Sequence, residues 1–468
     1  MQRPIALTVL LSLTIFPAFV PAQTTPKPEP APEAPLDPRL KAPAPKLDLH
    51  DGDTIVFLGD SITHQCLYTQ YLEDFFYTRM PGIHLRFHNA GVGGDRAADA
   101  LARFDMDVAA YKPKYVTILL GMNDGGYRQW DAATFDAYKK GMLELLDKIS
   151  GIGATAIVMG PTMYDRDALL LEPKSKDNFD KDTGKYYNAV LAYYGTFMRD
   201  QAAERGLAYV DMFAALNELT AQARLHDPNF TMIPGAVHPN PDGHTVMAAS
   251  FLDALHVPAV VCNTQATLTP KGWKVSVSPG GKAIDIDGDA DHLTFTAQDP
   301  ALPWILPAET AIGYKLSTAG HHHSSEPFRA VGLSPGKYEL KIDGQSIGVF
   351  PAPLLAVKIE LQNYEKCPQY QQALAVADLD KEKNDKVVHP LRDLYAHLKG
   401  KRHEKGSTPE SVAAYVEEIK PKLADLDKQQ AEYDQKIYDA AQPKPLKYEL
   451  TKVTVLPPAD SEKHQKPE

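Results

Sequence analysis

Four short blocks of this chain carry residue types that together could split an ester. Ser61 follows the apolar run Thr54-Ile55-Val56-Phe57-Leu58 in a Gly59-Asp60-Ser61 turn. A glycine block, Asn89-Ala90-Gly91-Val92-Gly93-Gly94-Asp95, comes next, then Gly121-Met122-Asn123-Asp124, and last Val237-His238-Pro239-Asn240-Pro241-Asp242-Gly243-His244. Acyl transfer needs a nucleophile, a base that takes its proton, and donors aimed at the oxygen that becomes negative. Ser61 is the candidate nucleophile and His238 the candidate base. The backbone N–H groups of Ser61 and Gly94 and the side-chain amide of Asn123 are the candidate donors, each of a kind worth ~3 to 4 kcal/mol of transition-state stabilisation. The Gly-Asp-Ser tripeptide alone reads equally well as a capped turn, because Gly permits positive φ and Asp and Ser cap helices. Its weight comes from the blocks downstream.

Each block must be delivered by an element. Ile55 to Leu58 are four consecutive apolar residues, three of them β-branched or aromatic, which predicts a strand buried on both faces with Ser61 at its carboxyl end. Residues 64–80 show helical spacing (Leu67, Tyr71, Leu72, Phe75, Phe76) ended by Pro81-Gly82. Strands are expected at 83–88, 115–120, 154–159 and 207–210, and helices at 97–108, 135–149, 186–205 and from Pro241 to Leu255, with Asn240 as N-cap. A polar excursion fills the gap up to Lys185. Strand, loop and helix alternate about five times, the pattern of a parallel sheet with helices on both faces. In such folds ligands sit in the crevice beyond the strand ends.

FLGDSIT, NAGVGGD, GMND and VHPNPDGH resemble, in order and roughly in spacing, the blocks of the SGNH or GDSL hydrolase family, over about Asp53 to Leu255. The resemblance implies a flavodoxin-like α/β/α sandwich and ester or thioester hydrolysis by a serine without an obligatory cofactor. Ser61, Gly94, Asn123 and His238 match the family's working positions. Asp60, Asp95 and Asp124 match positions that brace its loops. The nucleophile lies near the start of the domain rather than in a central G-x-S-x-G elbow. One departure stands out: the family usually has an aspartate three residues before its histidine, and here that position is Gly235. Loss of such an aspartate costs serine proteases about 10⁴ in kcat. A backbone carbonyl could hold His238 in a dyad, Asp242 or Asp227 could take the missing place, or catalysis could be impaired. Asp242 also has a purely structural reading, since a carboxylate in a first helical turn complements the helix dipole. Family analogy points to a carbohydrate O-acetylesterase. The alternatives are a general carboxylesterase or lipase, or a catalytically degenerate glycan-binding module, whose sign would be His238 turned away from Ser61.

The chain's 468 residues exceed one ordinary core. With 49 Lys+Arg against 60 Asp+Glu, the net charge of -11 argues against nucleic acid or an anionic membrane as partner. Arg3, the apolar run from Ile5 to Val20, and Val20-Pro21-Ala22 before Gln23 read as a secretory signal peptide over 1–22. No later run reaches the ~18 apolar residues of a membrane span, so a secreted or periplasmic protein is expected. Residues 23–48, dense in Pro, Ala and charge, are expected to be an extended tether. The hydrolase-like portion spans 49–257. A β-rich region (258–353) contains a hairpin turning at Asp343-Gly344, a charged helical region covers 354–441, and 442–468 is a largely disordered tail with one strand-like piece at 447–455. Cys66, Cys262 and Cys367 match no metal spacing and read as small buried apolar residues. His321-His322-His323 reads as a polar loop, His64 as a solvated first-turn residue, and His244 as a cap or packing residue, so no metal site is expected.

Overall fold

In the computed structural model, which describes residues 47–171 and 183–453, the apolar runs of the first half form five strands. They are β1 (Thr54–Gly59), β2 (Arg86–Gly91), β3 (Tyr115–Leu119), β4 (Thr155–Met159) and β5 (Ala208–Val210). All pair in parallel, in the order β2-β1-β3-β4-β5. Val56, Phe57 and Leu58 are fully buried, as a strand covered on both faces requires. The crossovers are helical. They are α1 (Ser61–His64) and α2 (Leu67–Arg79), α3 (Ala97–Asp107), α4 (Ala132–Gly151), then α5 (Arg166–Leu171) and α6 (Tyr187–Arg205). After β5 come α7 (Met212–Arg224) and α8 (Pro241–Ala254). This is the flavodoxin-like α/β/α sandwich, and its strand order reverses between β1 and β3. A crevice therefore opens beyond the carboxyl ends of those strands, where the serine, glycine and asparagine blocks emerge.

Two local departures have physical reasons. The single helix expected over 64–80 is broken at Cys66, whose φ is 60°. The short α1 turn closes onto the end of β2, and a Cβ at Gly91 would lie 2.4 Å from the His64 nitrogen. Glycine at 91 is what lets the two backbones meet. The α7 helix, which buries Met212 and Leu216, lies in a stretch where no element is expected.

Beyond α8 the strands are β6 (Asn263–Thr269), β7 (Gly272–Ser278), β8 (Lys282–Gly288), β9 (His292–Gln298), β10 (Pro327–Val331), β11 (Lys337–Ile342), β12 (Gln345–Pro351), β13 (Ile359–Glu360) and β14 (Leu446–Lys452). They form two sheets, β13-β10-β6-β7 and β12-β11-β14-β9-β8. The β11–β12 hairpin turns at Asp343 (φ 50°) and Gly344 (φ 77°), the two left-handed residues of a tight hairpin. Strand β14 is an inner strand, paired with β11 and β9; the rest of the expected tail, 454–468, lies outside the described residues. So do the expected signal peptide (1–22) and nearly all of the tether (23–48). Helices α9 (Ala311–Leu316), α10 (Ala319–His323), α11 (Ala352–Val357), α12 (Pro368–Lys383), α13 (His389–His403) and α14 (Pro409–Ala441) complete the chain. His321 to His323 therefore sit in a short helix rather than a polar loop, with His323 buried and its Nε2 3.3 Å from Asp253.

The C-terminal half shares its core with the sandwich. Val376 of α12, Ile437 and Tyr438 of α14, and Trp304 belong to the same apolar cluster as β1, β3, β4 and α2. The Trp304 indole N–H donates to the Tyr71 carbonyl at 2.8 Å, and its ring meets Phe75 edge-on. Val92 packs with Leu391, Tyr395 and Leu398 of α13 and Ile419 and Leu423 of α14, while Gln430 donates to the Phe87 carbonyl. Helices α13 and α14 thus cover the β2 edge, whose backbone groups would otherwise lie open to another strand. Among the described residues, no helix is long and apolar enough to cross a membrane.

Candidate active site

Ser61 is the first residue of α1, directly after β1. The Asp60 carboxylate caps that turn by accepting from the Ile62 N–H at 2.9 Å. His238 reaches it from the far side of the crevice, with Nε2 2.8 Å from Ser61 Oγ. The imidazole is therefore aimed at the hydroxyl, the opposite of what a degenerate binding module would show. The preceding loop is pinned at several points. Asn240 N–H donates to the Met232 carbonyl at 2.8 Å, Asp165 N–H to the Ala236 carbonyl at 3.0 Å, and Gln65 Nε2 to the Pro239 carbonyl at 3.3 Å. Gly235 has φ +71° and Ala236 φ 74°, so the position that lacks the aspartate lies in a left-handed turn favouring glycine. Asp242, in the first turn of α8, accepts from the Gly313 N–H at 2.8 Å, and exposed Asp227 accepts from Asn229 N–H at 3.0 Å. Both carboxylates brace backbone.

Asn123 lies just beyond β3. Tyr127 donates to its Oδ1 at 2.8 Å, and its Nδ2 donates to the Asp95 carbonyl at 3.0 Å and to Asp60 Oδ2 at 3.3 Å. The amide is thereby oriented from both ends. Asp124 accepts from the Ala97 N–H at 2.9 Å, tying this loop to the start of α3. Burial raises the Asp60 carboxyl to about 7, against the Ile62 hydrogen bond and with help from Asp124 and Asp95. Burial likewise raises Asp124 to about 6. Gly94 takes φ +71°, a left-handed conformation that favours glycine.

The glycine loop is held from below by a buried chain of charges. Arg103 of α3 donates to Asp95 at 2.8 Å, to Asp107 at 2.6 Å and to the Gly59 carbonyl at 3.1 Å. Arg392 of α13 clamps Asp107 with two 2.8 Å bonds, and His88 adds a third contact at 2.8 Å. Burial alone would raise Asp107, but Arg392, His88 and Arg103 hold it well below the usual carboxylate range. Lys399, also on α13, donates to the Gly93 carbonyl at 3.0 Å and pairs with Asp95 at 3.0 Å. His64 is partly buried rather than solvated. Its Nδ1 accepts from the Gly93 N–H at 3.3 Å, and burial together with the Arg392 charge pushes its pKa down to about 4, so it stays neutral. His244 is a buried packing residue, stacked on Tyr68 and accepting from the Tyr68 N–H.

Residues 57–246 match the GDSL-like Lipase/Acylhydrolase family. This portion of the chain is of the SGNH/GDSL hydrolase type. It is a carboxylic ester hydrolase of that type. Acetylxylan esterase from Geobacillus stearothermophilus is 26% identical over 227 residues, 44% of this chain and 95% of that protein. The solved structure of a gut microbial diltiazem-metabolizing enzyme matches 88% of this chain and all of that one, with 25% identity and a TM-score of 0.76. A crystal structure of the Geobacillus stearothermophilus acetylxylan esterase matches 45% of this chain and 97% of that one, at 24% identity and a TM-score of 0.36. The likeness to the diltiazem-metabolizing enzyme extends past the GDSL portion into the β-rich and helical regions. In this chain, Arg392 and Lys399 lie about 300 residues from the loops they support and carry no local sequence signal. Arg103 and Asp107 do have one, a helical i,i+4 charge pair.

Proposed function

We propose that Ser61 is the acylated nucleophile, that His238 is its base, and that the substrate is an acetyl ester on a carbohydrate. The observation that carries the mechanism is the 2.8 Å contact between His238 Nε2 and Ser61 Oγ at the mouth of the β1/β3 crevice. Ser61 Oγ attacks the ester carbonyl carbon as its proton passes to His238. The oxyanion is met by the Ser61 and Gly94 N–H groups and by the Asn123 N–H that is held only by the 3.3 Å contact to Asp60. The C–O bond breaks, and His238 returns the proton to the departing alcohol. Water then attacks the acyl-enzyme through the same base and releases the acid. Acetyl specificity is supported by the 26% identical acetylxylan esterase. A small-molecule ester is the second reading, supported by the diltiazem-metabolizing enzyme that shares most of this fold.

The test is covalent labelling by a fluorophosphonate, read by intact mass, beside acetate release from an aryl acetate and from acetylated xylooligosaccharides. Ser61→Ala should abolish labelling and lower turnover by at least ~10³-fold. A folded wild-type protein that does not label would sink the mechanism. Faster release of butyrate than acetate from matched aryl esters would sink the acetyl reading, and diltiazem turnover without xylooligosaccharide turnover would favour the second one. Export is part of the same proposal. Protein recovered from the periplasm or medium of a bacterial host should begin at Gln23.

A further inference from the structure

Cys262, Asp299 and Glu326 converge from three strand ends in the β-rich half. Cys262 immediately precedes β6, Asp299 immediately follows β9, and Glu326 immediately precedes β10. The Cys262 sulfur and one carboxylate oxygen from each acid all lie within 4.8 Å of one another. The three residues are 1%, 6% and 0% exposed. Neither oxygen of Glu326 has a hydrogen-bond partner, and Asp299 Oδ1 has none. The Tyr448 hydroxyl, fully buried on β14, is also unpartnered. Burial, and after it the charges of Asp299, Cys262 and Glu326, raise the pKa of this hydroxyl.

We propose that Cys262, Asp299 and Glu326 form a structural binding site for a zinc ion. The Cys262 thiol and Asp299 bond each other, but two buried carboxyls with three oxygens left unpartnered are costly in any form. Protons would remove the charge but leave the Glu326 lone pairs without a donor. A divalent cation answers both deficits at once. The thiolate selects zinc over magnesium or calcium, and four-coordination leaves one place for the Tyr448 hydroxyl or a water. Binding expels the thiol proton and any carboxyl protons to solvent. Zinc with three anionic ligands carries a single net negative charge, and Arg79 is the cation whose field reaches Glu326 and Cys262. The ligands come from both β-sheets, β6 and β10 from one and β9 from the other, so the ion ties the two sheets together at one end.

The experiment uses the full chain without a tag, produced in zinc-supplemented medium, dialysed, and analysed for metal by mass spectrometry. Wild type should hold about one zinc per chain, and Glu326→Gln and Cys262→Ser should lose it while His322→Ala keeps it. Because the core variants could fail to fold, wild-type protein is also refolded with cobalt(II), where a thiolate-to-cobalt charge-transfer band is expected. A folded wild type that holds no divalent metal and shows no such band overturns the proposal. So does zinc at the wild-type level in folded Glu326→Gln.

Discussion

Asn123 illustrates how much positioning a single side chain receives here. With Tyr127 on its oxygen and the Asp95 carbonyl on its nitrogen, the amide is set before any substrate arrives, so reorganisation at the moment of reaction is small. Asn123→Ala should lower kcat by ~10²- to 10³-fold with little change in KM, in steady-state assays on an aryl acetate. Asp60 makes a different prediction. Burial raises its pKa from 3.8 to about 7. Between those values the unfolded chain has released the proton and the folded protein keeps it. Stability therefore falls as pH rises from about 4 to about 7 and levels off above. Asp60→Asn keeps an acceptor for the Ile62 N–H and cannot ionise. In urea melts it should gain on wild type by roughly 2 to 4 kcal/mol between pH 4 and pH 8. A pH-independent difference would refute the buried-proton account.

At the scale of elements, α13 is the unexpected participant. Its Arg392 is bound into the Asp107–Arg103 network that ends on the Gly59 carbonyl, and its Lys399 holds the Gly93 carbonyl and the Asp95 carboxylate. A helix some 300 residues away in sequence therefore sets the loop that presents Gly94. Lys399→Ala should lower kcat about 10-fold, with KM and melting temperature nearly unchanged, because the loop loses its register but not its core. Arg392→Met should behave differently. Removing Arg392 takes two bonds from the fully buried Asp107 and leaves it only Arg103 and His88 among these partners, at a cost of about 3 to 5 kcal/mol of stability by chemical denaturation.

For the whole molecule, the sandwich and the C-terminal half share apolar surface rather than merely touching. Trp304, Ile437 and Tyr438 complete a cluster built on β1 and α2. Tyr438 also bonds both the N–H and the carbonyl of Leu85. Trp304→Ala should cost about 3 to 5 kcal/mol. A chain ended at Ala441 lacks β14, the strand between β11 and β9. It should lose cooperative unfolding of the β-rich half, seen as a second, lower transition by calorimetry. A single unchanged transition would show that β14 contributes little.

By itself the sequence determined what is encoded within short windows. Ile55 to Leu58 are four consecutive apolar residues without alternation, so they read as a strand buried on both faces. Asp343-Gly344 between alternating segments had to be a tight turn. Ser61, Gly94 and Asn123 stand just beyond β1, β2 and β3, whose ends a 2-1-3-4-5 parallel sheet gathers at one edge, and His238 comes to that edge on the loop before α8. Other features were set only by the tertiary structure. Periodicity said that α13 is a helix but not that Arg392 meets Asp107, 285 positions earlier. It showed β14 as a strand but not as an inner one, and it left Cys262, Asp299 and Glu326 as unrelated residues at three strand ends. The physical reason is range. Backbone propensity and hydrophobic period act over a few residues and leave a local trace, whereas a buried charge finds its partner only after the elements have packed.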